Sequence, residues 1–156
     1  MCGIIACITR GNEKLDYSYI QNKLIHRGPD YQGGFIDKYE DKSINLMHNR
    51  LSIRDLSNSG NQPYEYREYV LIFNGEIYNA EELALKLKAL DINLRSNCDT
   101  EILCKYLVHF GIHSLTNVRG MYAFCFYNRS TKILIAARDQ LGVKPLFYQY
   151  ENNNIY

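Results

Sequence analysis

Hydrophobic and polar positions divide this chain into strands near both ends and helices in the middle. The apolar and β-branched residues 3–9 predict a buried first strand. Six further segments have the composition of strands: residues 33–36, 44–48, 69–73, 121–127, 132–137 and 146–150. Strands that flank a helical middle predict an α+β layered domain with mostly antiparallel sheets.

Three segments carry apolar residues at the three- and four-residue spacing of amphipathic helices. The first covers residues 15–25, the second follows Asn79, and the third begins near Asp99 or Thr100. Asn79 followed by Glu82 is the pattern of a capping box. The inward-facing residues are expected to be Leu83, Leu87 and Leu90 in the second helix and Ile102, Leu103, Tyr106, Leu107 and Phe110 in the third.

Length and charge exclude several classes of function. The 156 residues suffice for one domain with a core of its own. A net charge of +1 and a charged fraction of 22% give no basic surface for nucleic acid. The longest apolar runs, such as residues 133–137, are too short to cross a membrane, and no signal peptide is recognisable. We expect a single domain over residues 1–156 that binds neither nucleic acid nor membrane.

The five cysteines show no pattern of a metal site. None forms a C-x-x-C pair, and together with the four histidines they have no zinc spacing. An odd number of cysteines without a disulfide framework indicates reduced thiols, and therefore a cytoplasmic protein. Cys7, Cys104 and Cys125 lie on predicted buried faces, where they serve as small core residues.

Cys2 directly follows the initiator Met1. Removal of Met1 would leave a thiol and a free α-amine on one residue. With an ordinary pKa of about 7.7–8.0, that amine can accept the proton of a nucleophile. Taken alone, such an early cysteine is more often a buried or incidental residue, and only the rest of the chain favours the catalytic interpretation.

Four later segments combine with Cys2-Gly3-Ile4 into an ordered set of motifs. They are His26-Arg27-Gly28-Pro29-Asp30, His48-Asn49-Arg50-Leu51-Ser52-Ile53, Phe73-Asn74-Gly75-Glu76-Ile77-Tyr78-Asn79 and the Arg138-Asp139 to Leu146 string. Over essentially the whole chain, this set resembles the glutaminase domain of class II glutamine amidotransferases, the N-terminal-nucleophile hydrolases, and within them the asparagine synthetase branch. The resemblance implies a four-layer αββα sandwich of two mostly antiparallel sheets. Residues 152–156 look like a strand cut short, so we expect a domain that lacks its last strand or strands.

The resemblance also implies catalytic roles for three residues. Cys2 would be the nucleophile, and its own α-amine would act as base and then as acid. Asn74 and Gly75 would form the oxyanion hole. Asn-Gly is otherwise a hairpin-turn signal, but here it leads into a helix rather than a return strand.

The substrate implied by the family is L-glutamine. Arg50 would hold its carboxylate, because a guanidinium fork fits that group. Gly75, Glu76 and Asp99 would complete the binding site, with the two carboxylates on the ammonium group, and the backbone near Leu51 and Ile53 would face glutamine. Taken alone, Arg50 could be a solvated cation and Asp99 a helix N-cap.

The remaining motif residues are expected to be structural: His26-Arg27-Gly28-Pro29-Asp30, His48, Arg138 and Asp139. Neither His26 nor His48 is assigned a catalytic role, because a terminal cysteine carries its own base. Arg138 and Asp139 are expected to form an internal ion pair or a packing corner.

Asparagine synthetases continue into a synthetase domain with an S-G-G-x-D-S loop, a string that does not occur in this chain. We therefore expect no cofactor in this domain, with ATP and Mg²⁺ confined to a synthetase domain or subunit that uses the ammonia to amidate aspartate. Two alternatives are a glutamine-binding or regulatory subunit without turnover and a related amidotransferase with a different acceptor. The oligomeric state stays open, a homo-oligomer included.

Overall fold

Two antiparallel sheets face each other in this protein. The computed structural model describes residues 2–11, 16–52 and 58–156. The strands are β1 Gly3–Arg10, β2 Tyr31–Tyr39, β3 Lys42–Arg50, β4 Tyr64–Tyr66, β5 Tyr69–Ile77, β6 Gly120–Asn128, β7 Ile133–Arg138, β8 Tyr150–Glu151 and β9 Asn154–Ile155. The first sheet has the order β2-β3-β1-β9-β8, and the second has the order β4-β5-β6-β7.

Alternation along the strands produces two separate hydrophobic layers. Val70 and Ile72 of β5 face the first sheet, whereas Leu71 and Phe73 of the same strand face the helices. The layer between the sheets is formed by Ile44, Leu46, Val70, Ile72, Cys125 and Tyr127. The second sheet is therefore covered on both faces, which explains its continuous apolar sequence.

The helices lie outside the two sheets. They are α1 Tyr17–Lys23, α2 Ala80–Lys88 and α3 Asp99–Phe110, with short 3₁₀ helices at Ile25–Arg27, Asn58–Gly60 and Ile112–Asn117. The second sheet's outer layer is completed by α2 and α3, through Leu83, Leu87, Leu103 and Leu107 among others. The shorter α1 contacts β3 and buries none of its residues fully, so the fourth layer is small. The predicted α+β sandwich is confirmed; Leu15, assigned to the first helix, lies outside the described residues.

Several strand boundaries differ from the sequence-based prediction. β5 continues to Ile77, so Asn74 and Gly75 lie within a strand, opposite Ala123 and Tyr122 of β6. A predicted strand over residues 146–150 is wrong, because only Tyr150–Glu151 has a ladder partner. Gln149 still exchanges two 2.9 Å backbone hydrogen bonds with Tyr156, whereas the apolar residues 146–148 belong to no strand.

The predicted capping box at Asn79 is also wrong. Asn79 is the N-cap of α2, but its side chain makes no cap hydrogen bond. Its amide nitrogen instead donates to the Asn117 carbonyl and to the Glu82 side chain rather than its backbone, and its oxygen accepts the Arg119 N–H. The side chain thus ties the start of α2 to the segment that enters β6.

Two residues predicted to face inward are partly exposed. Leu90 lies beyond the end of α2 and is 51% exposed, and Phe110, the last residue of α3, is 39% exposed. Both lie at or beyond the C-terminal end of a helix, and helical periodicity alone does not reveal where the covering by the sheet ends.

Candidate active site

A cleft of about 200 Å³ lies where β1 and α3 begin and where β3 and β5 end. The structure brings together in its lining seven of the residues predicted from the sequence: Cys2, Arg50, Leu51, Asn74, Gly75, Glu76 and Asp99. Ile53, the remaining predicted residue, lies outside the described part of the chain. Segments distant in sequence therefore converge on one small concave site, which is typical of a ligand site.

Cys2 lies immediately before β1, whose hydrogen-bonded ladder with β3 begins at Gly3 and Asn49. Its Sγ atom accepts the Leu51 N–H at 3.4 Å and lies 3.9 Å from the Leu51 carbonyl oxygen. The side chain is partly exposed and its thiol is free. The position combines access to the cleft with a neighbour, Leu51, that directly follows β3.

Three thiols lie in the buried core, in an environment different from that of Cys2. Burial raises the pKa of Cys7 to about 11 and the pKa values of Cys104 and Cys125 to about 12. These thiols therefore stay protonated near neutral pH, and only a thiolate is a strong nucleophile. Their assignment to the core is confirmed by their burial.

Arg50 ends β3 with its side chain enclosed rather than solvated. It is 6% exposed, and its Nη1 atom donates a 2.8 Å hydrogen bond to Oδ1 of Asn61. A side chain on Gly60 would overlap the guanidinium group, so the 3₁₀ turn Asn58–Gly60 approaches Arg50 closely. The interpretation of Arg50 as a solvated loop cation is therefore wrong.

The loop that follows the 3₁₀ turn Ile25–Arg27 supports the end of β3. The Asp30 N–H donates to the Arg50 carbonyl, and the Asp30 carboxylate accepts the Ser52 N–H at 2.7 Å. A side chain on Gly28 would overlap the backbone of Asn49 and Arg50. These contacts fix the backbone on both sides of Leu51. His26 is exposed and does not line the cleft.

Asn74 and Gly75 occupy the β5 wall of the cleft. A Cβ on Gly75 would overlap the Met121 carbonyl oxygen and lie within 3 Å of Tyr122, so glycine lets β6 approach β5 closely. The hairpin-turn interpretation of Asn-Gly is excluded, because both residues are paired within a sheet.

Gln62 holds the floor of the cleft together, a role that the sequence did not reveal. Its Oε1 atom accepts the Phe73 N–H at 2.6 Å, and its Nε2 atom donates to both the Phe73 carbonyl and Thr100 Oγ1 at 3.1 Å. One amide group therefore ties β5 to the start of α3. The Asn61-Gln62-Pro63 string carries no periodic pattern that would have predicted this.

Asp99 is the first residue of α3, and Cys98 is its N-cap, so the N-cap interpretation of Asp99 is wrong. Its Oδ2 atom accepts the Ile77 N–H at 2.8 Å, which places the carboxylate beside the end of β5 that carries Glu76. The two carboxylates therefore share one side of the cleft.

The loop before α3 is fixed by a buried charge network. Glu101 accepts the N–H groups of Arg95 and Ser96 and forms a 2.6 Å ion pair with Lys105, whose side chain also reaches the Asn93 carbonyl. Burial raises the pKa of Glu101, but the Arg95 backbone N–H and Lys105 outweigh it, so the pKa lies below its ordinary value. The network positions the loop that delivers Cys98 and Asp99 to the cleft.

Lys144 is a further cleft residue that sequence reasoning missed, although it stands in the last recognised motif. It is 5% exposed and follows a turn organised by the buried carboxylate of Asp139, which accepts the N–H groups of Tyr122, Val143 and Lys144. Among the described residues Asp139 forms no ion pair with Arg138, so of the two predicted roles the packing corner is correct.

His48 lies behind Arg50 on the same face of β3 and is fully buried. Within residues 2–11, 16–52 and 58–156, neither of its ring nitrogens has a hydrogen-bond partner. Burial and the charge of Arg50 lower its pKa from 6.5 to about 4, an effect that the Phe73 backbone only partly offsets. The imidazole is therefore neutral at physiological pH.

This set of residues agrees with the sequence family that the chain matches. A family model described as glutamine amidotransferase domain matches residues 1–156. The chain belongs to the glutamine amidotransferase domain family. It is 36% identical to glutamine-hydrolyzing asparagine synthetase 1 of Bacillus subtilis, over all of this chain and 25% of that protein. The amidase chry2 of Gibberella zeae is 34% identical, over 99% of this chain and 25% of that protein.

A solved structure shares the fold of this glutamine amidotransferase domain. It is the glutamine phosphoribosylpyrophosphate amidotransferase of B. subtilis, with a TM-score of 0.73 at 18% identity, covering 98% of this chain and 41% of that one. The predicted class II glutamine amidotransferase domain with asparagine synthetase-like sequence is therefore confirmed. The chain spans between a quarter and a third of the length of the first curated relatives.

Two further observations concern the described residues alone. None of the helices there has the length and apolar character that a membrane crossing requires. In the same part of the chain, no three or more His, Cys, Asp and Glu side chains are grouped so that they could hold a metal ion.

Proposed function

We propose that this domain hydrolyses the side-chain amide of L-glutamine, with Cys2 as the N-terminal nucleophile, and releases glutamate and ammonia. The observation that supports the proposal is the cleft itself. The partly exposed thiol of Cys2, an Asn-Gly pair, a buried guanidinium and two carboxylates are among the groups that line a volume of about 200 Å³.

The reaction would proceed through a thioester. After removal of Met1, the Cys2 α-amine takes the thiol proton, and the sulfur attacks the amide carbon. Asn74 and Gly75 donate N–H groups to the oxyanion, a contribution of about 3–4 kcal/mol for each donor in comparable sites. The α-amine then protonates the leaving ammonia, and water hydrolyses the thioester to glutamate.

Recognition of the α-carboxylate and α-ammonium groups would let the site select glutamine over other amides. Arg50 pairs with the α-carboxylate through two N–H groups, which its contact with Asn61 leaves in a fixed orientation. Glu76 and Asp99 accept from the α-ammonium group on the opposite side, and the backbone beside Leu51 and Ile53 borders the substrate.

The ammonia would be used outside this domain. We propose that a synthetase domain or subunit amidates aspartate with it, that ATP and Mg²⁺ act only there, and that the reaction takes place in the cytoplasm. The similarity to B. subtilis asparagine synthetase 1 supports this acceptor. A different acceptor would leave the residues of this cleft unchanged, because they contact only glutamine.

Glutamate release by the purified chain and by its Cys2→Ala variant tests the proposal. Intact mass first establishes that Met1 has been removed. We expect glutamate release by the variant to be at least about 10³-fold slower, because the thioester can no longer form. Cys7→Ala is the matched control, since that thiol is buried and separate from the cleft. Equal activity in Cys2→Ala and wild type would overturn the assignment, whereas glutamine binding without turnover in the Met1-free protein would favour a regulatory subunit.

A further inference from the structure

The outer edge of β5, the one that faces away from β6, has a partner strand over only three of the described residues. The ladder between β4 and β5 ends with Tyr64 opposite Leu71. If this register continued, residue 62 would lie opposite Phe73. The main chain does not follow that course, because the Gln62 backbone lies against β2, where a side chain on Gly33 would overlap its carbonyl oxygen.

The side chain of Gln62 takes the place of a partner strand at Phe73. In an antiparallel ladder, the partner residue accepts the N–H and donates to the carbonyl of the residue opposite. The Gln62 amide does both: Oε1 accepts the Phe73 N–H at 2.6 Å, and Nε2 donates to the Phe73 carbonyl at 3.1 Å. Both residues are buried, so the two main-chain groups would be costly to leave without this contact.

Gly75, two residues further along β5, lies between two side-chain contacts on this edge. The N–H groups of an antiparallel strand alternate between its two edges, so those of Phe73, Gly75 and Ile77 point the same way. Asp99 Oδ2 accepts the Ile77 N–H at 2.8 Å. The Gly75 N–H therefore stands between the contact made by Gln62 and the contact made by Asp99, at a residue that lines the cleft.

A third hydrogen bond joins these two contacts. Gln62 Nε2 also donates to Thr100 Oγ1 at 3.1 Å, and Thr100 follows Asp99 at the start of α3. Each of the two N–H groups of the amide thus has its own acceptor, which fixes the orientation of the amide. The start of α3 has further support from the Glu101 network, whereas β5 has no partner strand at Phe73 in the described part of the chain.

We propose that Gln62 is a positioning residue for the oxyanion hole, holding β5 so that the Gly75 N–H and the Asn74 side chain meet the oxygen of the tetrahedral intermediate. This role rests on the proposed function, because it requires an oxyanion at β5. A donor misplaced by about 1 Å can cost about 10²-fold in rate, so loss of the contact lowers kcat. Glutamine affinity changes little, because Asn61 rather than Gln62 orients Arg50.

Steady-state glutamate release by Gln62→Met tests the role. Methionine has a similar length but lacks the amide, so we expect kcat to fall at least about tenfold while KM for glutamine stays within about threefold. The matched control is Gln21→Met, which should keep the wild-type kcat. Gln21 also joins two main-chain carbonyls, those of Gly33 and His48, at 3.0 and 3.1 Å, but it does not line the cleft. An unchanged kcat in folded Gln62→Met, or a rise in KM alone, would overturn the proposal.

Gln62→Glu is the second variant, for the case that Gln62→Met does not fold. Its ionised carboxylate can accept the Phe73 N–H but has no donor for the Phe73 carbonyl. We expect its kcat to fall at least about fivefold. A kcat equal to that of wild type would contradict the positioning role.

Glutamine binding without turnover separates positioning from recognition. In a Cys2→Ala background, calorimetry should give a Kd for L-glutamine that Gln62→Met changes by no more than about threefold, because the oxyanion forms only during the reaction. A Kd raised tenfold or more would mean that Gln62 acts on substrate binding instead, and the proposal would be wrong.

Amide hydrogen exchange tests the geometry without reference to catalysis. We expect the Phe73 N–H to exchange at least about tenfold faster in Gln62→Met than in wild type, and at the wild-type rate in Gln21→Met. Equal protection of Phe73 in all three proteins would show that the Gln62 amide does not hold this edge. If the wild-type protein releases no glutamate, the proposed function fails, while the exchange rates still decide whether Gln62 holds β5.

Discussion

The guanidinium of Arg50 is oriented by Asn61, which lies eleven residues further along the chain and accepts a 2.8 Å hydrogen bond from Nη1. Gly60, the residue before Asn61, packs against the same guanidinium. A short 3₁₀ turn therefore holds the cation that would bind the substrate carboxylate.

Asn61→Ala should weaken glutamine binding without removing the chemistry. A hydrogen bond to a charged group contributes about 1.5–3 kcal/mol, so we expect KM for glutamine to rise roughly tenfold or more while kcat changes little. Steady-state glutamate release measures both constants. The matched control is Asn93→Ala, because that side chain is exposed and outside the cleft. A fall in kcat at constant KM would contradict an orienting role.

Gly75→Ala should damage both folding and activity. The new methyl group would overlap the Met121 carbonyl, a backbone atom that cannot move alone. Overpacking of this kind costs about 1–3 kcal/mol, which urea unfolding can measure. Gly34→Ala in β2 is the control, since a Cβ there has nothing within 4 Å. Equal stability of the two variants would show that β5 and β6 separate easily.

Glu101→Gln should destabilise the fold and disturb the cleft together. It leaves Lys105 buried without its 2.6 Å partner, and breaking a buried pair costs about 3–5 kcal/mol. Because the folded-state pKa of Glu101 is lowered, its contribution is present above the ordinary carboxyl pKa and is lost as pH falls through the lowered value. Glu82→Gln is the control, because its pair with Lys86 has the same spacing but is exposed. Urea unfolding at neutral and acidic pH compares the two variants. Equal losses of unfolding free energy would show that burial does not make the Glu101–Lys105 pair more important than the exposed pair.

His48 should make stability depend on pH between about 6.5 and 4. The folded protein keeps the imidazole neutral down to a pKa of about 4, whereas the unfolded chain binds a proton near 6.5. Stability therefore falls as pH drops through this window, by about 2 kcal/mol at pH 5, and no further below 4.

His48→Leu isolates that effect. A leucine removes two buried nitrogens that have no partner in the described chain, so stability at pH 7 should be kept or increased. The difference in unfolding free energy between pH 7 and pH 5 should shrink by about the same 2 kcal/mol. An unchanged pH dependence would mean that other groups cause it.

The reliable sequence signals were those with local causes. Helical spacing located α2 and α3 and their buried leucines, because one helix face must be apolar wherever it packs on a sheet. The strand predicted at residues 146–150 from their composition forms only at its end. A strand exists only where a partner strand is available, and local composition does not show this. The capping-box pattern at Asn79 failed for a similar reason, because Asn117 and Arg119 compete for the same side chain.

The residues of the cleft also fall into those that the sequence predicted and those that only the structure revealed. Recognised motifs indicated Cys2, Arg50, Asn74, Gly75, Glu76 and Asp99, and the structure brings these residues together. Nothing in the sequence indicated that Gln62 connects β5 to α3, or that Cys98 shares the cleft with Cys2. Such relations depend on which strand ends meet, and that is fixed by the pairing of distant segments.

By itself, the sequence determined the family, the α+β class and the set of residue types that the proposed chemistry requires, because these follow from local spacing and from motif identity. Only the tertiary structure decided that Arg50 is enclosed, that Asn74 and Gly75 belong to a strand and that Cys98 lines the same cleft as Cys2. These facts depend on burial and on contacts between residues far apart in the chain. Such contacts form, and stabilise the protein, only once both sheets are packed.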